Sequence, residues 1–168
     1  MTSKITVRPA RTSDVKSIQA MRQQLEGSKV LLGHELVSLY EAVPEFLVAV
    51  DEAGDVVGAG ALHVMWEDLA EVRSVVVADH MRGHGVGRAI VAALLDRADT
   101  IGTKRVFCLT FEVEFFSKFG FQEISDVPVD AETYAEMVRS NDDGVAEFLD
   151  LARVKQNTLG NTRMLRTL

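Results

Sequence analysis

The residues from Glu71 to Asp99, EVRSVVVADHMRGHGVGRAIVAALLDRAD, constrain the fold of this chain more than any other stretch. They begin as an apolar strand, pass through a short basic turn and continue as an amphipathic helix with Val86, Ile90, Ala93 and Leu94 on one face. Arg82-Gly83-His84-Gly85-Val86-Gly87 sets three glycines at alternate positions directly before that helix. The first amides of a helix have no intrahelical acceptor and carry the positive end of its dipole. Glycine permits the positive-φ turns that point successive N–H groups inward. A phosphate-sized anion belongs at this junction.

The spacing selects among glycine-rich turns. A P-loop needs Lys and Ser or Thr after its second glycine, and neither follows Gly87. A dinucleotide fingerprint needs G-x-G-x-x-G, whereas this turn reads G-x-G-x-G. What remains, R-x-x-G-x-G after V-x-V, resembles the pyrophosphate-binding motif of the acetyl-CoA-dependent GNAT family of N-acetyltransferases. The resemblance implies that Arg82, Gly83, Gly85, Val86, Gly87 and Arg88 bind acetyl-CoA. It also implies that the main chain of Val75, Val76 and Val77 adds to the peptide-like pantetheine and offers N–H groups to the thioester oxygen.

A chain of 168 residues suits one domain, spanning 1–168, with an ordinary core. A net charge of −7 argues against nucleic acid or an anionic membrane as a partner. No signal peptide is expected, and no apolar run reaches the roughly 18 residues of a membrane helix. Cys108, the single cysteine, forms no intramolecular disulfide, which makes the cytoplasm the expected compartment.

Along the chain, Ile5 to Val7 reads as a strand, and Thr12-Ser13-Asp14 supplies caps for a helix running to about Leu25. His34 to Val43 reads as a short helix stopped by Pro44. Phe46 to Val50 and Val56 to Val64 form a hairpin through Glu52-Ala53-Gly54-Asp55, and a further strand starts at about Leu69. Arg105 to Thr110 is a strand, Val113 to Phe119 a short helix, Phe121 to Ile124 the start of a strand, and Ala131 to Arg139 a helix. Between Phe111 and Asp150 stand eleven acidic and two basic residues; beyond Asp150 there are four basic residues and no acidic one. With a final strand, this order predicts an α/β (α+β) fold in which a mixed, mostly antiparallel sheet of about seven strands is flanked by helices, as in GNAT enzymes.

Within that family, LYEAVPEFLVAV, GAGALHVMWEDLAEVRSVVV, KRVFCLTFEVEFFSKFGFQEI and GNTRMLRTL are similar to the acetyltransferase domain of bacterial N-acetylglutamate synthases, in particular the short actinobacterial form. That resemblance implies transfer of acetyl from acetyl-CoA to the α-amine of L-glutamate, the first step of arginine biosynthesis, with no metal. It also suggests a homodimer.

An amine attacks a thioester only when unprotonated, so a nearby base helps. Strand alternation sets Glu71, Arg73, Val75 and Val77 on one face, and Glu71 matches the acidic residue of the synthases. Many GNAT members carry a tyrosine acid where this chain has Phe116; it is taken as a cofactor contact instead, and the thiolate leaves unaided or takes a proton from water. Guanidinium groups grip carboxylates in pairs of hydrogen bonds. Arg163 matches a substrate-contacting basic residue of the synthases, Arg73 is a second candidate, and His34 stands where relatives carry arginine or lysine. Being mostly neutral at pH 7, His34 leaves L-glutamine open as the acceptor. His63, His80 and His84 have no metal-ligand spacing, and Cys108 alternates within an apolar strand as a core residue. Two other readings compete: an acetyltransferase for a different amine such as glutamine or a polyamine, and a non-catalytic acetyl-CoA-responsive module.

Overall fold

The computed structural model describes residues 4–26, 36–155 and 160–168. Its strands are β1 (Thr6–Pro9), β2 (Phe46–Val50), β3 (Val56–Trp66), β4 (Leu69–Val77), β5 (Arg105–Thr110), β6 (Gln122–Glu123) and β7 (Thr162–Thr167). Its α-helices are α1 (Val15–Glu26), α2 (Leu36–Glu41), α3 (Val86–Thr100), α4 (Val113–Ser117), α5 (Ala131–Met137) and α6 (Asp143–Phe148). The strands form one seven-stranded sheet in the order β1-β2-β3-β4-β5-β7-β6. The β4–β5 pair is parallel, whereas β1–β2, β2–β3, β5–β7 and β6–β7 are antiparallel, giving the mixed sheet that the sequence predicts.

The chain divides into two compact units. The first holds residues up to Leu62 and Val72–Arg97. Its entry is fixed by Asp14, whose carboxylate accepts from the Arg11 amide at 2.7 Å and from both terminal nitrogens of Arg8 at 2.8 and 3.1 Å. This closes the turn that launches α1, and Val15 and Ile18 then enter the core. The β2–β3 hairpin turns at Gly54 (φ +85°), with the Asp51 carboxylate accepting from the amides of Ala53 and Asp55. Gly58 and Gly60 let α3 lie directly on β3. A methyl on Gly58 would stand 2.6 Å from Val86 and 2.7 Å from Ile90, and one on Gly60 would stand 2.7 Å from Ile90.

The second unit holds His63–Glu71 and Ala98–Leu168. Its core gathers Met65, Leu69, Phe107, Met137, Val145, Phe148 and Leu149, all buried, so that α5 and α6 cover one face of β5. Phe107 and Phe148 meet edge to face with centroids 5.3 Å apart. Arg105 fastens the unit, reaching both oxygens of Asp68 at 3.0 and 3.4 Å and the Pro128 carbonyl at 2.6 Å.

Most expected elements occur within a residue or two, and β5 matches at both ends. Three differ. The helix expected over Val113 to Phe119 stops at Ser117, where the chain curls toward Gly120 (φ +87°), and β6 is only two residues long. Helix α6 was not expected at all; at six residues it is too short to display a helical period. Its signal was Asp142, which caps it by accepting from the Val145 amide at 3.0 Å.

Candidate active site

In the first unit, Asp79–Met81 form a single 3-10 turn that delivers the chain to Arg82. Gly83 and Gly85 both adopt φ +80°, and an added Cβ at either would meet nothing within 4 Å, so the backbone angle rather than space calls for glycine. Among the described residues, the amides of Gly83, Gly85, Val86, Gly87 and Arg88 find no backbone or side-chain acceptor. Five N–H groups thus cluster at the amino end of a 15-residue helix. Val86 is buried against β3, which anchors the turn, while Arg88 is exposed and Arg82 reaches Asp79 at 3.3 Å in an exposed pair. His80 and His84 are exposed. This arrangement can hold a pyrophosphate.

Strand β4 brings a correction. Ser74 is left-handed, at φ +58°, so the two-residue alternation expected to align Glu71, Arg73, Val75 and Val77 is interrupted midway. In the first unit, Val75 turns toward Gly60 and the α3 side, Val76 is buried, and Arg73 and Val77 are half-buried. A left-handed non-glycine residue inside a strand is not visible in a sequence pattern.

In the second unit, Glu71 lies only 4% exposed and is the ladder partner of Phe107. It is a carboxylate at the margin of an apolar layer. Burial, aided by the charge of Glu71, pushes the neighbouring Cys108 thiol well above its ordinary pKa, so it stays neutral and serves the core. Leu109 pairs with Arg163 on β7, which puts Glu71, Phe107, Leu109 and Arg163 on one face. By strand spacings, the Glu71 and Arg163 α-carbons are about 12 Å apart. The Arg163 Nε donates to the Glu147 carbonyl at 3.0 Å, and its Nη2 to the carbonyls of Asp126 at 2.9 Å and of Phe148. Desolvation lowers its pKa, against the opposing pull of Asp150 and Asp126. Nη1 has no partner among the described residues.

Phe116 is buried in an edge-to-face aromatic group with Phe115 and Phe121, and Ser117 is exposed. His34 lies outside the described residues. Among the described residues no three His, Cys, Asp or Glu side chains gather as metal ligands, and no helix is long and apolar enough to cross a membrane. Sequence reasoning missed Ser74, the carbonyl anchors of Arg163, and the close-approach glycines Gly58 and Gly60. The last pair had a signal, a G-x-G inside an apolar strand.

Comparison with known proteins sharpens this geometry. The chain is similar to an amino-acid acetyltransferase of Mycobacterium tuberculosis, 57% identical over 164 residues that span 96% of this chain and 94% of that protein. An amino-acid acetyltransferase of Neisseria meningitidis is 30% identical over 139 residues, 82% of this chain but 31% of that longer protein. Among solved structures, that of Rv2747 from Mycobacterium tuberculosis in complex with CoA and NLQ superposes with a TM-score of 0.90 at 56% identity, covering 97% of this chain and 99% of that one. The fold also matches N-acetylglutamate synthase from Neisseria gonorrhoeae complexed with coenzyme A and N-acetyl-glutamate, at TM-score 0.75 and 23% identity over 98% of this chain and 35% of that one. The family pattern of the acetyltransferases covers residues 18–121. Strand β4, the glycine turn and α3 all fall inside that span, and the chain belongs to the acetyltransferase (GNAT) family.

Proposed function

We propose that this protein is an amino-acid N-acetyltransferase that transfers acetyl from acetyl-CoA to the α-amine of L-glutamate, the opening step of arginine biosynthesis. The observation that carries the reading is its 57% identity to the Mycobacterium tuberculosis amino-acid acetyltransferase across nearly the full length of both chains. Residues 1–168 act as one acetyltransferase domain, working on small molecules in the cytoplasm.

In this reading the amides of Gly83, Gly85, Val86, Gly87 and Arg88 take the pyrophosphate, with the Arg82 and Arg88 side chains adding charge. The main chain from Val75 to Val77 holds the pantetheine and donates to the thioester oxygen as it gains charge. Glu71 receives a proton from the substrate ammonium, directly or through one water. The amine nitrogen then bonds to the acetyl carbon, the C–S bond breaks, and the proton that the nitrogen sheds as the amide forms reaches the departing thiolate through water. Arg73 and the Nη1 edge of Arg163 are the groups that meet the acceptor's carboxylates, and His34 is a third candidate. Phe116 acts behind the cofactor as packing. Transfer is direct, within a ternary complex.

Release of CoA by the purified protein, with glutamate, glutamine, aspartate, lysine and spermidine supplied in turn, tests the proposal. Turnover confined to glutamate supports it. Preference for glutamine keeps the reaction class and changes the acceptor, and silence with all five overturns it.

A further inference from the structure

Helix α6 ends on Asp150 in the left-handed conformation (φ +57°), with the Leu151 amide returning to the Ala146 carbonyl at 3.0 Å and the Leu149 amide to Val145 at 3.0 Å. Of the last two carbonyls of the helix, Glu147 accepts from the Asp150 amide at 3.2 Å and also from the Arg163 Nε, and Phe148 accepts from the Arg163 Nη2, which also donates to the Asp126 carbonyl. Of five guanidinium N–H groups, the Nε–H and both on Nη2 are therefore spent on main chain. A half-buried cation at a helix carboxyl end is favoured by the dipole, and Asp126 and Asp150 attract it further. A planar fork on β7 that bridges the carboxyl end of α6 and the main chain at Asp126 is a fastening, not a swinging grip.

What it fastens bears on the chemistry. The Phe148 ring, at the anchored end of α6, packs edge to face on Phe107, and Phe107 is the ladder partner of Glu71. We infer that Arg163 is a positioning residue: by holding the carboxyl end of α6 on β7 it fixes the Phe148–Phe107 wall against which Glu71 is buried, and so sets the placement of the base. This rests on the assignment of Glu71 in the proposed function, and it gives Arg163 a role through other residues beyond any contact of its Nη1 edge with the acceptor.

The test compares wild type, Arg163→Lys, Phe148→Leu and the double variant by steady-state kinetics with acetyl-CoA and glutamate and by thermal unfolding. Lysine keeps the charge but cannot span three carbonyls. The expected result is a kcat lowered roughly 10-fold or more in Arg163→Lys, on top of the rise in glutamate KM that loss of the Nη1 contact brings, because small misplacements of a reacting group are costly. Phe148→Leu moves kcat in the same sense, and the double variant loses little beyond the single ones. A glutamate KM raised roughly 10-fold at unchanged kcat overturns the inference in favour of a direct grip on the acceptor. Unchanged kinetics with only a lower Tm overturns it in favour of a purely structural clasp. Should wild type turn over no amino acid, the proposed function falls. The placement of the base falls with it, and non-additive Tm losses in the double variant then leave Arg163 and Phe148 as a structural clasp only.

Discussion

At the scale of the residue, Glu71 and Asp14 show how differently two buried carboxylates are used. Asp14 is committed: its pKa is held below the ordinary range, chiefly by the hydrogen bonds from Arg8 and also by the Arg11 amide, against the cost of burial. Because the folded value is the lower one, the stabilisation is complete above the unfolded pKa of about 3.9 and drains away as pH falls through the folded value. Asp14→Asn is expected to cost about 1–3 kcal/mol at pH 7. The Tm gap to wild type, followed by circular dichroism, narrows as the pH is taken down to about 3. Glu71 stands at the margin of an apolar layer, beside a thiol that its charge helps to keep neutral. Glu71→Gln is expected to lower kcat by roughly 10²- to 10⁴-fold, the span of a positioned general base, while leaving the KM for acetyl-CoA near its wild-type value in the CoA-release assay. An unchanged kcat removes Glu71 from the proton path.

Among the elements, β3 and α3 make the sharpest prediction. The approach of Val86 and Ile90 to Gly58, and of Ile90 and Leu94 to Gly60, leaves no room for a methyl group. Gly60→Ala is expected to cost about 1–3 kcal/mol by overpacking, read as a Tm lowered by about 2–4 °C for each kcal/mol. Gly83→Ala meets no atom, and its cost is confined to the backbone angle, about 1–2 kcal/mol. The sequence disclosed elements wherever a period or a stop was long enough to read: the alternation of β5, the apolar stripe of α3, the glycine turn before that helix, and the hairpin at Gly54. It hid what depends on neighbours far along the chain. Ser74 looks like any strand serine, and nothing local says that it turns left-handed and breaks the run of faces after Glu71. Arg163 looks like an exposed cation in NTRML, since its partners lie 15 to 37 positions away. The glycine turn was legible because helix and glycines are contiguous; the shared face of Glu71 and Arg163 was not, because the two are related only through the register of three strands.

On the scale of the whole molecule, charge and chain order matter most. The net charge of −7 repels an anionic co-substrate at long range, while in the proposed reading the amides of the glycine turn and Arg82 and Arg88 attract it at close range. With a Debye length of about 10 Å at 0.1 M salt, added NaCl should weaken the local attraction. The KM for acetyl-CoA is expected to rise several-fold between about 50 and 500 mM NaCl; a fall would show that long-range repulsion dominates. Strand order carries a different consequence. Strand β7, made after both its neighbours, lies between β5 and β6, and among the described residues β6 has no other ladder partner. During synthesis, β5 and the Phe107 wall must therefore wait, one edge open, until residues 162–167 have cleared the ribosome. The second unit closes like a drawstring pulled from its carboxyl end, and a chaperone able to shield an unpaired β5 would find its client at that moment.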